Sequence, residues 1–384
     1  MLGPVLDERR WRVGSLGGIL AAIGLSICAC TSVSAGRSVS PPTGTTNPQL
    51  GTSAASSKPE RASGTTSAPR VRSDDFTVAF AGDVHFMGRT AIRLANNPAT
   101  VFGQAASVLA SADLTMVNLE TAITTRGDPA PKDFHFRAPA TAFTALRDAG
   151  IDVATMANNH AADYGAIGLH DTLAAIGSSR FPVVGIGADA TAAFAPWVHT
   201  VHDTRVAIIA ASQVRDETLA NYAAGAGSPG IASADSDRLL ESVRAARAAG
   251  DVVIVYLHWG IEFDSCPSTD QRSLADALAK AGASAIVGAH VHVLQGSGWR
   301  PDGTYVAYGL GNYLWWRSFG NAQDDNGVLT LTFRRDRVVA ARFHPAHLDE
   351  RGVPVPATGA QAARIDAAWQ QARLCAGLSA TPPR

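Results

Sequence analysis

Six short clusters in the sequence carry side chains that can bind metal or move protons, and five of them directly follow apolar runs. Asp83-Val84-His85 sets a carboxylate and an imidazole at i and i+2, on one face if the chain stays extended. Asn118-Leu119-Glu120 repeats the pattern with a carboxylate at the end of an apolar run. Asn158-Asn159-His160 places two amides and an imidazole where burial would demand partners for all of them. His258-Trp259-Gly260-Ile261-Glu262 and Gly288-Ala289-His290-Val291-His292 add three further imidazoles, and Gly309-Leu310-Gly311-Asn312-Tyr313 a tight backbone with an amide. Each cluster alone has a plainer reading. Asn118 and Asn158 suit a cap or turn, Glu120 a solvated surface, and one of His290 and His292 can face solvent while the other is buried. The Gly309–Tyr313 cluster is equally a turn or a site wall. Together, seven potential nitrogen and oxygen ligands between Asp83 and His292 suit a two-metal centre of zinc, manganese or iron type. None is a cysteine, which excludes a thiolate zinc site. Two ions about 3.5–4 Å apart would activate a water and clamp the oxygens of a displacement.

These residues need strands to place them. Apolar runs at 76–81, 114–119, 153–156, 183–185, 206–210, 252–257 and 285–287 read as buried strands. Alanine-rich stretches at 140–149, 168–176, 236–249 and 273–281 have helical spacing. Strand and helix alternate, which predicts an α/β fold with layered helices. Beyond Tyr305 the pattern turns to strands with glycine turns, and 361–378 reads as a closing helix. In open α/β sheets ligands bind beyond the carboxyl ends of strands, where the polar clusters stand.

The chain has 384 residues and a formal net charge of −1, which argues against nucleic-acid binding and against a polybasic membrane contact. Four cysteines exclude a disulfide-built scaffold. Charge is segregated. Arg9, Arg10 and Arg12 precede an uncharged run at 13–30, the layout of an export signal. Ile27-Cys28-Ala29-Cys30 resembles a lipobox that would leave Cys30 lipidated, while Val33-Ser34-Ala35 offers an ordinary cleavage site and a secreted product. Residues 31–73 are rich in Ser, Thr, Pro and Gly and read as a disordered stalk. The expected organisation is a signal at 1–30, the stalk, a domain at 74–350 and a helix and tail at 351–384. The expected location is the extracytoplasmic face of the cell membrane, through an N-terminal lipid anchor.

In order and spacing, the clusters resemble the calcineurin-like metallophosphatases, and more closely the CapA family of capsule (poly-γ-glutamate) synthesis proteins within that superfamily. The resemblance rests on Gly82-Asp83-Val84-His85-Phe86-Met87-Gly88-Arg89, Asn118-Leu119-Glu120, Asn158-Asn159-His160-Ala161-Ala162-Asp163-Tyr164-Gly165, His258-Trp259-Gly260-Ile261-Glu262-Phe263, Gly288-Ala289-His290-Val291-His292-Val293-Leu294-Gln295 and Gly309-Leu310-Gly311-Asn312-Tyr313. It implies a four-layer α-β-β-α sandwich. It also implies one divalent ion on Asp83, His85 and His292, a second on Asn159, His258 and His290, and Glu120 bridging them. His160 takes the place of the group that protonates a leaving group or steadies the transition state. The chain departs from general phosphoesterases in having Glu120 where they carry Asp, and Ala161 where they carry an acid. Asp163 is then the candidate to orient His160. Arg89, Arg137, Gln271 and Asn312 are candidates for holding substrate. Cys266 and Cys375 remain as a possible pair in an oxidising compartment. The function implied is hydrolysis of phosphoester or amide bonds in an anionic envelope polymer, within a polymer synthase or export complex. The alternative is a non-catalytic, polymer-binding accessory module.

Overall fold

The computed structural model describes residues 75–384. The signal at 1–30, lipidation at Cys30 and the stalk at 31–73 lie outside the described residues. Among the described residues no helix is long and apolar enough to cross a membrane.

Two sheets lie face to face. The first has eight strands, running Pro354–Pro356, Arg337–Leu348, Asp325–Arg334, Asp75–Val84, Leu114–Leu119, Val153–Thr155 and Val183–Val184, with Asn312–Leu314 beside the end of Asp75–Val84. The second has six, running Ser297–Trp299, Tyr305–Ala307, Ala285–Ala289, Val252–His258, Thr204–Ser212 and Trp197–Val201. The period of two in a strand decides which side chains meet between the sheets. In Val252–His258, residues Val252, Ile254 and Tyr256 join the core shared with the first sheet. Val253, Val255 and Leu257 face the opposite way, into a second core with Leu239, Val243, Ala275 and Leu278 of helices Asp237–Ala248 and Thr269–Ala281. The helices Thr141–Asp148 and Gly165–Ser179 add Phe143, Leu146 and Leu169 to the first core. Leu114–Leu119 is buried along its whole length, as a strand covered on both faces must be. The result is a four-layer α-β-β-α sandwich. Hydrogen bonds stitch the sheets together, from Tyr256 Oη to the Ala81 carbonyl at 2.7 Å, from Trp299 Nε1 to the Val338 carbonyl at 2.9 Å, and between Asn118 Nδ2 and His258 Nδ1 at 3.2 Å.

Some boundaries differ from the sequence reading, for physical reasons. The first strand continues past Ala81 through Asp83 and Val84, because these pair in parallel with Asn312 and Leu314 on one side and Asn118 and Leu119 on the other. The helix expected at 273–281 begins earlier, at Thr269, because Ser268 and Gln271 form a capping box. The closing helix is Gly359–Ala376. It buries Ile365 and Trp369, stacks Trp369 on Phe343 at 4.2 Å and is bonded to the body by the Cys266–Cys375 disulfide.

Gly82 is required by a close backbone approach. A Cβ there would lie 1.9 Å from the Gly311 carbonyl oxygen, and the Asp83 amide donates to that same oxygen at 2.9 Å. The Gly82→Ala variant is therefore expected to lose about 1–3 kcal/mol, the cost of forced overpacking, in a denaturant titration. An unchanged midpoint would mean that the two strands can part freely at this point.

Candidate metal centre

The polar clusters meet at one end of the seam between the sheets. His258 continues the inward register of Ile254 and Tyr256. His290 and His292 follow the end of Ala285–Ala289 at φ of 95° and 58°, a region that few non-glycine residues occupy. This kink turns the His290 amide onto Asp83 Oδ2 at 3.2 Å. From the first sheet come Asp83, Glu120 and the Asn158–His160 turn. Asn118 and Asn158, each open to a cap reading, form an internal amide relay. Asn158 Nδ2 donates to Asn118 Oδ1 at 2.9 Å, and Asn118 Nδ2 donates to Asp83 Oδ1 at 2.7 Å.

Ligand atoms of Glu120, His290 and His292 lie within 4.8 Å of one another, a group able to hold a metal ion. His258 Nε2 stands 2.8 Å from Asn159 Oδ1 and 3.5 Å from Glu120 Oε1. His292 Nδ1 lies 3.5 Å from Asp83 Oδ2 and 2.9 Å from Asn312 Oδ1. His85 is wedged between Phe136 and Trp315, with ring centroids 4.1 Å from each, and its Nε2 accepts from the Trp316 amide at 3.3 Å. The fit to a cation shows in what is left unpartnered. Both carboxylate oxygens of Glu120, Nδ1 of His85 and Nδ1 of His290 are buried without a hydrogen bond. Unsatisfied buried polar atoms are rare and costly, and here they cluster among hard-oxygen and imidazole donors.

The electrostatics agree. Burial, and then the charges of Asp83, Glu262 and Asp163, push the Glu120 carboxyl well above the usual range. Burial drives His258 down to about 3 and outweighs the pull of Asp83. Burial, reinforced by neighbouring imidazoles, holds His85 and His290 well below the ordinary value. For His292 burial is the largest influence, but the hydrogen bond and charge of Asp83 overcome it and the group is raised. The neutral imidazoles of His85, His258 and His290 beside crowded carboxylates suit a divalent cation.

His160 and Asp163 form a dyad at the rim, with His160 Nδ1 2.7 Å from Asp163 Oδ2 and His160 Nε2 3.8 Å from Glu120 Oε1. The substrate candidates are placed less favourably. Arg89 donates to the Glu350 carbonyl at the surface. Arg137 lies outward over the Tyr164 ring at 4.6 Å, because alternation along its strand turns it away from the site-facing Phe136. Gln271 is a correction: it is fully buried, its Oε1 accepts from the Ser268 amide and its Nε2 donates to Gln295 Oε1, so no polar atom is left for a ligand. Asn312 is likewise buried, held between His292 Nδ1 and the Gln323 carbonyl, and so positions an imidazole rather than a substrate. Sequence reading missed Lys132, Phe136 and Trp315, because none carries a spacing signal. Only their contacts reveal them.

Among known proteins, the family described as bacterial capsule synthesis protein PGA_cap matches residues 77–315. The chain belongs to this family. PGA biosynthesis protein CapA of Bacillus subtilis is 30% identical over 270 residues, which cover 67% of this chain and 68% of that protein. Capsule biosynthesis protein CapA of Bacillus anthracis is 30% identical over 297 residues, or 75% and 71% of the two chains. A probable polyglutamine synthesis accessory protein of Mycobacterium tuberculosis is 32% identical over 205 residues, or 50% and 53%. The PGA_cap match takes in every candidate metal ligand from Asp83 to His292 and ends at Trp315, the ring that walls His85.

Proposed function

We propose that this PGA_cap protein is an exported, surface-tethered hydrolase with a two-metal site, cutting phosphoester or amide bonds in an anionic envelope polymer of the poly-γ-glutamate type. The observation that carries the reading is the buried Glu120 carboxylate, unpartnered on both oxygens, among His258, His290, His292 and Asp83. Asp83, His85 and His292 would hold one divalent ion, Asn159, His258 and His290 the other, with Glu120 between. Such a pair supplies Lewis acidity and a water ionised at neutral pH. The chain's own part is to hold the ligands in place, to exclude bulk water with the Phe136 and Trp315 rings, and to present His160. With Nδ1 against Asp163, His160 directs Nε2 into the site, where it can deliver a proton to a leaving oxygen or nitrogen. Capsule synthesis by the relatives supports an envelope location and a polymer synthase or export complex as partner.

A second reading is supported by the accessory role in the name of the mycobacterial relative. In it the same site binds metal and polymer without turnover. Metal analysis of the purified protein with assays on phosphodiester and γ-glutamyl substrates separates the two. The His160→Ala variant is expected to keep its metal and lose about 10²–10⁴-fold in kcat. Bound metal without turnover on any of these substrates would favour the accessory reading, and absence of metal would remove both.

A further inference from the structure

We infer that Lys132 is a positioning residue for His160, acting through Asp163; the inference rests on the hydrolase reading. Lys132 belongs to the proline-containing segment 127–136, which folds back onto the His160–Asp163 turn through a bond from the Ala130 amide to the Asp163 carbonyl at 2.8 Å. Its ammonium is nearly buried and sits between two acceptors. Nζ lies 2.5 Å from Asp163 Oδ1 and 2.5 Å from the Asn159 carbonyl oxygen. The other carboxylate oxygen, Asp163 Oδ2, meets His160 Nδ1 at 2.7 Å and accepts the Phe136 amide at 2.6 Å. Two hydrogen bonds and the Lys132 ion pair therefore grip the Asp163 carboxylate, and two of these three contacts come from one segment.

The geometry gives Lys132 more to do than filling space. Asp163 is fully buried, and a buried carboxylate needs a compensating charge as well as hydrogen bonds. Lys132 supplies that charge from the side opposite the imidazole, so it fixes the carboxylate's rotation without competing for the His160 contact. With Oδ2 turned to His160, the ring proton stays on Nδ1 and Nε2 is left facing Glu120. The same ammonium ties the carboxylate to the backbone of Asn159, whose side chain faces His258, and Thr218 Oγ1 holds that carbonyl too at 2.6 Å. Asp216, at 3.8 Å, is the only other acid in an ion pair with Lys132 among the described residues. The dyad is thus a chain of Lys132, Asp163 and His160, in which only His160 reaches the reacting atoms.

The test uses the full chain loaded with manganese, with bis(p-nitrophenyl) phosphate as the assay probe. Lys132→Met should lower kcat about 10–100-fold while KM and bound metal stay at wild-type values, and Lys132→Arg should recover part of the loss. In the Asp163→Asn background, Lys132→Met should cost nothing further, because its route to His160 is already cut. Nitrogen NMR of the His160 ring reads the same point without turnover, as a change from the single Nδ1–H tautomer to a mixture in Lys132→Met. If Lys132→Met fails to fold, Lys132→Gln is read in its place. An unchanged tautomer, or losses that multiply in the double variant, overturns the inference. No turnover by wild type overturns the hydrolase reading instead, and the tautomer still decides the place of Lys132.

Discussion

Replacing Glu120 with glutamine is expected to strip the protein of metal while making the metal-free form harder to unfold. The two effects have one cause. Glu120 is wholly buried, neither oxygen has a hydrogen bond, and burial with the nearby acids pushes its carboxyl well above the normal range. Without a cation the protein holds this group at a cost of about 1–3 kcal/mol, the penalty for an unsatisfied buried polar group and more if the group is charged. Glutamine removes the charge at nearly the same volume, so the metal-free denaturation midpoint should rise. A neutral amide is a weaker ligand for a divalent cation than a carboxylate, so bound metal should fall by at least about tenfold, the lower end of what even supporting residues of metal sites cost. Metal content by elemental analysis and urea unfolding after chelation measure the two sides. If the variant keeps its metal, or is less stable than the metal-free parent, Glu120 is an ordinary structural acid.

The second large effect is expected at Cys266 and Cys375. Their bond closes a loop over a sequence separation of 109 residues, with Cα atoms 5.7 Å apart, inside the usual range for a disulfide. In the chain-entropy picture a loop of about 100 residues is worth about 4.7 kcal/mol of unfolded-state restriction, and native bridges commonly contribute 2–5 kcal/mol. The Cys375→Ala variant should therefore unfold at a clearly lower urea concentration, and reductant should bring the parent down to the same midpoint. A loss below about 1 kcal/mol would show that Trp369 stacking and the Arg272 bonds to the Cys375 and Ala376 carbonyls already hold the helix end. The bridge also walls a mainly apolar cavity of about 520 Å³ lined by Phe263, Val293 and Leu294, which adjoins His292. Loosening it should disturb the imidazole side of the site before the carboxylate side. A pair of this kind suits an oxidising compartment.

The sequence carried the layered α/β architecture because buried strands announce themselves as apolar runs, and the polar residues at their ends interrupt those runs abruptly. It also carried the group Glu120, His290 and His292, since each stands within a few residues of a strand end. What it could not carry was direction. Arg89, Arg137 and Gln271 are the right residue types for anions, yet a carbonyl, an aromatic face and a capping box take them up. Asn312 lies in a recognisable motif, but that it faces His292 rather than a ligand depends on parallel pairing with Asp83 from far away in sequence. Lys132 sits among prolines with no periodicity, and its partners at 159 and 163 come together only through a turn in another segment.

The hydrogen bond from Tyr256 to Ala81 has a mechanical meaning. It is a direct polar strut between strands of different sheets, and a few residues beyond it stand Asp83 on one strand and His258 on the other. An ion held by Asp83 and His292, or one held by Asn159 and His258, would be a rivet through the same seam, loaded in shear whenever the layers slide. Tyr256→Phe should then make the metal-free layers part more readily while leaving the riveted protein nearly as stiff, so that the seam itself reports whether the centre is filled.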